Sequence, residues 1–404
     1  MKTNNTPKSM RLHIGIFGKR NAGKSSLTNA ITHQETSIVS EQAGTTTDAV
    51  EKTMEMLPLG AVVLIDTAGI DDTGALGKER VKKSKKITER TDIAIIVSDY
   101  DGWNEYDFEL AKTFNENNIP IVAVINKTDI KQPEKEKIKK ITEKANFVVT
   151  TSVKTDKSLV EKIREALIRC VPEDYINPPA ILENIAEKDD TVILVTPIDK
   201  EAPKGRLILP QVNVLRELLD NNCVAVVVTE KQLENALKAL KNKPKCVITD
   251  SQAFKTVAEI VPEDIAMTSF SILFARLKGD LKTFYEGAKQ IDKLSDGDRV
   301  LICESCTHHP IEDDIGRVKI PNLLKKKTGK KLVIDNVSSH EFPENIGDYK
   351  LIVHCGGCMT NRREILSRMN KAREKGVPIT NYGIAISYCL GICERAMKPF
   401  LNGK

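Results

Sequence analysis

The amino-acid sequence predicts an α/β protein whose sheets consist of parallel strands. Residues 11 to about 170 alternate short apolar runs with amphipathic segments, the pattern of buried strands that are covered by helices. The segment Val171–Pro179 has three prolines in nine residues and predicts a linker. The same alternation then resumes in two shorter stretches. A chain of 404 residues is long enough for two or three domains with separate cores.

The strand-like runs give the order of the predicted elements. Five core strands are predicted in the first region, at Leu12–Phe17, Ala61–Ile65, Ile93–Val97, Ile121–Ile125 and Phe147–Val149. The second region predicts strands at Thr191–Val195, Cys223–Val228 and Cys246–Ile248, with helices over 211–220 and 231–241. Three strands leave exposed sheet edges, which favour pairing with another copy of the chain. The third region, from about residue 270, predicts strands at Val300–Cys303, Leu332–Ile334, Leu351–His354 and Pro378–Thr380.

A glycine-rich loop, Gly18-Lys-Arg-Asn-Ala-Gly23-Lys24-Ser25, follows the first predicted strand and precedes a predicted helix. In this position such a loop binds nucleotide phosphates through its backbone N–H groups. Lys24 is expected to contact the β- and γ-phosphates, and the Ser25 hydroxyl is expected to bind Mg²⁺, with Ser26 beside it. The loop therefore predicts a P-loop nucleotide-binding domain.

Two further motifs predict that the nucleotide is GTP. Asp66-Thr-Ala-Gly69 ends an apolar strand, where the carboxylate can hold the water shell of Mg²⁺ and the Gly69 amide can contact the γ-phosphate. Asp129 can accept hydrogen bonds from two guanine N–H groups, which adenine does not offer as a pair. The residues expected to bind the base are Asn126, Lys127, Asp129, Ser152 and Lys154. The sequence thus predicts a P-loop GTPase domain with a parallel sheet, followed by two smaller α/β units.

A second set of chemically active residues lies near the end of the chain. Cys306-Thr-His308 is followed, across a gap of 45 residues, by His354-Cys355-Gly-Gly-Cys358. Both groups follow predicted parallel strands, whose carboxyl ends form the crevices where ligands bind in open sheets. The cysteines and a histidine suit either a Cys₃His zinc site or a [4Fe–4S] cluster whose fourth position is histidine or exchangeable.

Other interpretations of the cysteines stay open. Free buried cysteines behave as small hydrophobic residues. That account fits Cys170, Cys223 and Cys246 best. Cys303 forms a second Cys-x-x-Cys with Cys306, but it lies in an apolar run and is expected to point into a core. Cys389 and Cys393 are expected to share one face of a helix, from which they could approach the metal site, although burial in a core is the better account. Redox chemistry of a Cys-x-x-Cys is a further interpretation.

Composition limits the classes of protein that fit. Nine cysteines and an N-terminus without an apolar leader predict a reducing, cytoplasmic location. No apolar run approaches the length that spans a membrane. The net charge of +5 is too small to indicate nucleic-acid binding by itself. We therefore expect neither a membrane nor a nucleic acid as a partner.

The nucleotide motifs resemble those of the translation-factor class of small GTPases, in the branch that contains MnmE and Era, over residues 11 to about 170. The resemblance implies that Thr46 closes on Mg²⁺. Ile70 stands where Ras carries its water-orienting glutamine, so slow intrinsic hydrolysis is expected. Asn21 matches the asparagine of potassium-activated members, which implies that K⁺ assists hydrolysis. The residues expected to act in hydrolysis are Lys24, Thr46, Asp66 and Gly69.

The GTPase motifs and the cysteine motifs together resemble the [FeFe]-hydrogenase maturation GTPases, the HydF family, across the whole chain. The resemblance implies a GTP-binding domain (1–172), a middle domain (180–268) that forms a homodimer, and a cluster-binding domain (269–404). It further implies that Cys306, Cys355 and Cys358 bind a [4Fe–4S] cluster. His308 and His354 match the motif as labile ligands or as residues that support the ligands from behind.

The same resemblance implies a function and a set of partners. Members of this family serve as a scaffold on which the two-iron precursor of the hydrogenase is assembled or carried before transfer. The implied partners are the apo-[FeFe]-hydrogenase and the radical-SAM maturases HydE and HydG.

Two other functions stay open. One is a ribosome- or tRNA-associated GTPase with a C-terminal structural zinc domain, which would need a basic face that bears aromatic residues. The other is a redox-regulated GTPase whose Cys-x-x-Cys cycles with a disulfide. A brown protein that holds iron and sulfide supports a cluster, whereas a colourless protein that holds zinc supports the first rival.

Overall fold

The computed structural model describes residues 6–34, 40–42, 50–67, 86–176, 179–198, 207–305, 314–338 and 341–401. The chain divides into two compact units, Met1–Pro178 and Pro179–Lys404. The division falls within the predicted linker. The first unit contains one sheet and the second contains two, and each unit has its own hydrophobic cores.

Seven strands form one mixed sheet in the first unit, in the order β2-β3-β4-β1-β5-β6-β7. The strands are β1 (Leu12–Phe17), β2 (Ser40–Gln42), β3 (Val50–Met56), β4 (Gly60–Asp66), β5 (Ile93–Ser98), β6 (Ile121–Ile125) and β7 (Phe147–Thr150). The five predicted strands are all present and run parallel to one another. The predicted parallel sheet is therefore confirmed, and two strands that the sequence does not predict, β2 and β3, extend it beyond β4 in antiparallel orientation.

The sequence does not predict β3 because charged residues interrupt its apolar pattern. Its residues still alternate with period 2, and Lys52, Met54 and Met56 lie on the buried side. The Lys52 ammonium lies 3.0 Å from Oδ1 of Asn29. A lysine therefore occupies an inward position that the apolar pattern of a strand assigns to a hydrophobic residue.

Helices cover both faces of this sheet. The helices of the first unit are α1 (Lys24–Gln34), α2 (Glu105–Glu116), α3 (Lys135–Thr142), α4 (Leu159–Cys170) and α5 (Glu173–Ile176). One core joins the sheet to α1 and α4 and includes Leu27 and Ile163. The other core joins the sheet to α2 and α3 and includes Phe114 and Ile141. Because both faces are covered, β1, β5 and β6 are buried along their whole length.

Two four-stranded parallel sheets form the second unit, in the orders β11-β10-β8-β9 and β13-β12-β14-β15. The first consists of β8 (Thr191–Val195), β9 (Val224–Val228), β10 (Cys246–Thr249) and β11 (Ala266–Ser269). The second consists of β12 (Arg299–Cys303), β13 (Val333–Val337), β14 (Leu351–His354) and β15 (Ile379–Asn381). The prediction of three strands in the first of these sheets is wrong, because β11 pairs with β10. The sequence does not predict β11 because Thr268 and Ser269 are polar and interrupt its apolar run.

Nine α-helices are described in the second unit. They are α6 (Leu209–Asp220), α7 (Leu233–Ala239), α8 (Phe254–Ile260), α9 (Phe270–Lys278), α10 (Leu281–Ala288), α11 (Ile320–Thr328), α12 (Arg362–Glu374), α13 (Tyr382–Cys389) and α14 (Cys393–Leu401). The expectation that Cys389 and Cys393 share a face of one helix is wrong. Cys389 ends α13 and Cys393 begins α14, and Gly391 between them has a left-handed φ of 76° that interrupts the helix.

The two sheets of the second unit share one hydrophobic core. This core contains Val247 of the first sheet together with Val300 and Ile352 of the second. α9 follows β11 directly and contributes Ile272 and Ala275 to the same core. The helix therefore packs against both sheets, and its C-terminal end lies next to the segment that carries the predicted metal ligands.

Gly287 in α10 lies against the backbone of β15. A Cβ at this position would lie 1.9 Å from the carbonyl oxygen of Ile379, and moving that oxygen means moving the strand. We expect Gly287→Ala to lower the free energy of unfolding by about 2–3 kcal/mol, the cost of an overpacked core. Gly347→Ala, where no described atom lies within 4 Å of the added Cβ, should change it by less than about 1 kcal/mol. Urea unfolding followed by circular dichroism measures both, and equal effects would contradict the close packing of α10 on β15.

Candidate functional site

The phosphate-binding loop begins where β1 ends and stops where α1 begins. Gly18 has a φ of 129°, and a Cβ there would lie 2.1 Å from the carbonyl oxygen of Val97. Gly23 has a φ of 104°, and a Cβ there would lie 2.2 Å from Nδ2 of Asn126. Both positions therefore require glycine, for backbone conformation and for space. Asn21 is also left-handed, with a φ of 59°, a conformation that asparagine tolerates better than most residues.

Lys24 and two serines open α1. The Lys24 side chain is buried, and its Nζ donates to the carbonyl oxygens of Gly18 and Lys19 at 2.8 Å each. The ammonium group therefore lies inside the loop, where it can meet the phosphates of a bound nucleotide. Ser25 and Ser26 are exposed at the start of the helix, beside N–H groups that a helix leaves unpaired at its first turn.

Asp66 lies at the carboxyl end of β4, opposite Ile16 of β1. Burial raises the pKa of its carboxyl group, and hydrogen bonds from Ser25 and Thr28 and the charge of Lys24 act in the opposite direction. Its Oδ1 atom is buried and has no hydrogen-bond partner among the described residues. Mg²⁺ prefers oxygen donors of this kind, a carboxylate beside a serine hydroxyl. The residues present therefore fit the predicted metal ion.

Asn126 connects the base-binding loops to the phosphate-binding loop. Its Nδ2 donates to the carbonyl oxygen of Ala22 at 2.9 Å, and its Oδ1 accepts from the backbone N–H of Val153 at 2.9 Å. The side chain is buried, so the loss of either bond would leave a buried polar group unpaired. Asn126 therefore fixes the relative positions of three loops.

Other residues predicted to bind the base lie on the loops that follow β6 and β7. The N–H of Thr128 donates to the carbonyl oxygen of Thr151 at 3.2 Å, so the two loops are neighbours. Asp129 and Lys154 are exposed, and Lys127 is half-buried with a left-handed φ of 60°. The exposed pair is available to a base that lies across the two loops.

Asp156 is a residue of this site that the motifs do not reveal. Its carboxylate accepts hydrogen bonds from the Lys162 ammonium, from Ser158 and from the Thr151 hydroxyl. These bonds, with that from Lys162 the largest contribution, hold the pKa of the Asp156 carboxyl well below its usual range. Asp156 thereby fixes the loop that carries the buried Ser152. The only signal in the sequence is an Asp-x-Ser turn before a helix.

Five of the residues that the sequence singles out lie outside the described residues. They are Thr46, Gly69, Ile70, Cys306 and His308. Their roles in binding Mg²⁺, the γ-phosphate and a cluster, and the effect of Ile70 on hydrolysis, stay predictions.

The loop Cys355–Cys358, called the cysteine loop, follows β14 at the carboxyl end of its sheet. β14 and β12 are parallel neighbours with Cys303 opposite His354, so Ser305 and Cys355 meet just beyond the strand ends. The Sγ of Cys355 accepts hydrogen bonds from the N–H groups of Ser305 at 3.2 Å and Gly357 at 3.4 Å. Burial raises the pKa of Cys355, and the bonds from Ser305 and Gly357 oppose that rise. N–H groups that point at a sulfur stabilise the thiolate, the form that binds metals.

His354 points away from solvent and is fully engaged in hydrogen bonds. Its Nδ1 lies 2.8 Å from the carbonyl oxygen of Cys355, and its Nε2 lies 2.8 Å from Nη1 of Arg368. Because arginine only donates, Nε2 accepts and Nδ1–H donates. Burial, and then the charge of Arg368, lowers the pKa of His354 to about 3. In this arrangement His354 holds the backbone of a predicted ligand and has no free nitrogen for a metal.

Arg368 and Glu364 complete this network and were not singled out by the sequence. Nη2 of Arg368 lies 2.6 Å from Oε1 of Glu364, and both side chains are buried. The two residues are four apart on α12, a spacing that usually indicates an exposed ion pair on a helix. Only the tertiary contact with His354 distinguishes this pair from a surface pair.

Cys303 and Cys358 differ in how deeply they are buried. Cys303 is buried in a hydrophobic core, which confirms that it points into a core. Burial raises its pKa to about 12. Cys358, like Cys355, is half-buried at the sheet edge. Among the described residues no group of three metal-ligating side chains converges, because that part of the chain contains two of the three predicted cysteine ligands.

Sequence models of three protein families match successive parts of the chain. The model described as 50S ribosome-binding GTPase matches residues 13–127. The hydrogen maturase F dimerization domain matches residues 181–279, and the hydrogen maturase F tetramerization domain matches residues 282–399. The two hydrogen maturase F domains together extend over almost all of the second unit.

Curated relatives of this chain include two kinds of GTPase. GTPase Der of a Nitratiruptor species is 32% identical over 171 residues, which are 40% of this chain and 37% of Der. The tRNA modification GTPase MnmE of Prochlorococcus marinus is 35% identical over 164 residues, which are 39% of this chain and 34% of MnmE. The chain therefore spans little more than a third of the length of these relatives.

A solved structure of Era from Aquifex aeolicus is 20% identical, covering 57% of this chain and 98% of that one, with a TM-score of 0.34. That score is too low to define the arrangement of the whole chain. None of the described helices is long and apolar enough to cross a membrane.

We expect Asn126→Ala to weaken GTP binding by roughly 30- to 1000-fold, because two buried hydrogen bonds lost with their partners left unpaired cost about 2–4 kcal/mol. Asn115→Ala is the matched control, since Asn115 is an exposed asparagine of the same unit with a single bond to the carbonyl oxygen of Lys144. Titration with a fluorescent GTP analogue measures both affinities. Equal affinities for the two variants would show that Asn126 does not hold the loops in place.

Proposed function

The chain belongs to the hydrogen maturase F family, and on that premise we propose that it is a GTP-hydrolysing scaffold in the maturation of [FeFe]-hydrogenase. It binds a [4Fe–4S] cluster, carries the two-iron precursor of the hydrogenase and delivers it to the apo-enzyme. Membership of this family weighs against the ribosome- or tRNA-associated GTPase with a structural zinc domain.

The environment of the Cys355 sulfur is the observation that carries the cluster assignment. Two backbone N–H groups point at this sulfur, and such bonds are typical of cysteines that bind iron–sulfur clusters. Cys358 follows within the same loop, and the chain beyond Ser305 leads to Cys306. These three cysteines would hold the cluster, whose remaining iron would stay open to an incoming group.

The two histidines of the motif take different roles in this proposal. His354 supports the site through the backbone of Cys355, because both its ring nitrogens are already bonded. His308 remains a candidate for the labile fourth ligand. The chain's own residues thus offer three fixed sulfur ligands and at most one exchangeable nitrogen ligand.

The first unit would bind GTP and Mg²⁺ and hydrolyse the nucleotide. Lys24 would meet the β- and γ-phosphates, Ser25 and Thr46 would bind Mg²⁺, and Asp66 would hold the water shell of the ion. Gly69 would contact the γ-phosphate. Guanine is selected through Asp129, with Lys127, Ser152 and Lys154 around the base.

Self-association would proceed through the middle sheet. β9 is an edge strand of that sheet, and its residues Val224 and Val227 are exposed. An exposed apolar edge strand favours pairing with a second copy of the chain, in keeping with a match to a dimerization domain. The further partners in this proposal are the apo-[FeFe]-hydrogenase and the radical-SAM maturases HydE and HydG, in the cytoplasm.

Hydrolysis is expected to be faster in K⁺ than in Na⁺ at equal ionic strength, by roughly tenfold or more, because the cation supplies charge that an arginine finger supplies in other GTPases. Asn21→Ala should bring the ratio of the two rates close to one. Asn118→Ala is the control, since Asn118 is also a left-handed asparagine of the first unit, with a φ of 53°. Phosphate release measures the rates. A wild-type protein with equal rates in the two salts would remove K⁺ from the mechanism.

Cys355→Ser tests the cluster directly. Serine is a harder ligand than cysteine, so this variant should lose most of its iron and fail to activate apo-hydrogenase, while GTP hydrolysis in the first unit persists. Cys389→Ser, at another half-buried cysteine of the second unit, should keep its iron. Iron and sulfide analysis and electron paramagnetic resonance of the reduced, anaerobically purified proteins give the readout. Full iron content and an unaltered signal in Cys355→Ser would exclude Cys355 as a ligand.

A further inference from the structure

Lys278, the last residue of α9, is buried beneath the cysteine loop. Only 3% of its surface is exposed. Its Nζ donates to the carbonyl oxygen of Gly357 at 2.8 Å and to that of Thr360. These carbonyls flank Cys358, and the Thr360 N–H closes the same turn onto Gly357 at 3.1 Å. The side chain therefore holds the turn that presents a predicted ligand.

The charge of Lys278 has no carboxylate within ion-pair distance among the described residues. No acidic side chain of the described residues forms an ion pair with its ammonium, whose other neighbour is the ring of Phe274 at 5.9 Å. Burial lowers the pKa of Lys278 to about 8, and the negative charges that oppose this shift are those of Cys358 and Cys355, followed by that of Glu364. A buried cation that only carbonyl dipoles contact is costly. An anionic group at the cysteines would remove that cost.

Arg368 is a second buried cation in the same region, and its partners differ from those of Lys278. Its guanidinium is equally buried, but it forms an ion pair with Glu364. The ammonium of Lys278 instead donates to two carbonyl oxygens that flank Cys358, and the cysteine charges act on it more strongly than that of Glu364. The contrast points to the cysteines, with the group that they would bind, as the main counter-charge of Lys278.

α9 and the segment after the cysteine loop are bonded at a further point. Nη1 of Arg362 donates to the carbonyl oxygen of Leu277 at 2.6 Å. With the two bonds of Lys278, three hydrogen bonds fix the end of α9 to residues 357–362. The turn therefore cannot change orientation independently of the helix.

We propose that Lys278 positions the Cys355–Cys358 loop and supplies a buried positive charge that balances the cluster bound there. This inference rests on the proposed function for the nature of the anion. Three thiolates leave an iron–sulfur centre negatively charged, and the charge becomes more negative when the centre gains an electron. A fixed cation nearby stabilises the reduced form more than the oxidised form and so raises the reduction potential.

Two neutral variants of the full-length protein separate the charge from the hydrogen bonds. Lys278→Gln keeps an amide that donates to a carbonyl but has no charge, and Lys278→Met has neither. Lys282→Met, an exposed lysine of α10, is the control. Potentiometric titration followed by electron paramagnetic resonance gives the reduction potential. Both neutral variants should shift the ratio of reduced to oxidised cluster roughly tenfold towards the oxidised form, which is about 59 mV for one electron, and the control should match wild type.

Positioning is measured in the metal-free protein. Lys278→Met should speed amide hydrogen exchange in residues 357–360, whereas Lys278→Gln and Lys282→Met should remain closer to wild type.

If Lys278→Met does not fold, the reduction potential of Lys278→Gln still tests the role of the charge. An unchanged potential in a folded neutral variant would overturn the charge role, and unchanged exchange in Lys278→Met would overturn the positioning role. A wild-type protein that binds no iron–sulfur cluster would refute the proposed function and the charge role, while the exchange measurement would still decide the positioning role.

Discussion

Parallel pairing of neighbouring strands is the constraint on which both candidate sites depend. Because adjacent parallel strands end at the same edge of a sheet, Asp66 comes to lie beside the end of β1, and Cys355 beside Ser305. The segments joined in this way are distant in sequence: Asn126 contacts a residue 104 positions away, and Cys355 contacts one 50 positions away. Strand register sets the spacing of each site, and side-chain bonds between loops then hold it.

Both sites use a buried lysine in the same manner. Lys24 and Lys278 each donate to two backbone carbonyl oxygens of the loop that is predicted to hold an anionic group. Carbonyl dipoles orient an ammonium group without removing its charge. Arg368, in contrast, forms an ion pair with the carboxylate of Glu364.

The sequence predicts those features that local patterns encode. The buried strands of the first sheet and the glycine loop follow from apolar runs and from a motif whose residues are contiguous. The sequence does not predict β3 and β11, because polar residues occupy some of their buried positions. These residues are Lys52 in β3, and Thr268 and Ser269 in β11. Lys278 resembles an ordinary cation in the last turn of a helix. Its function depends on a turn about 80 residues away, which no local pattern can indicate.

The shared core of the second unit connects Lys278 to both of its sheets. α9 packs into a core that contains residues of both sheets, so the region matched to a dimerization domain and the cysteine loop belong to one folded body. A substitution that loosens α9, for example at Ile272, would displace the ammonium of Lys278 and the carbonyl of Leu277 together. It would reach the cysteine loop through those hydrogen bonds without altering any metal ligand. The position of the ligands is therefore a property of the packing between the two sheets as much as of the loop itself.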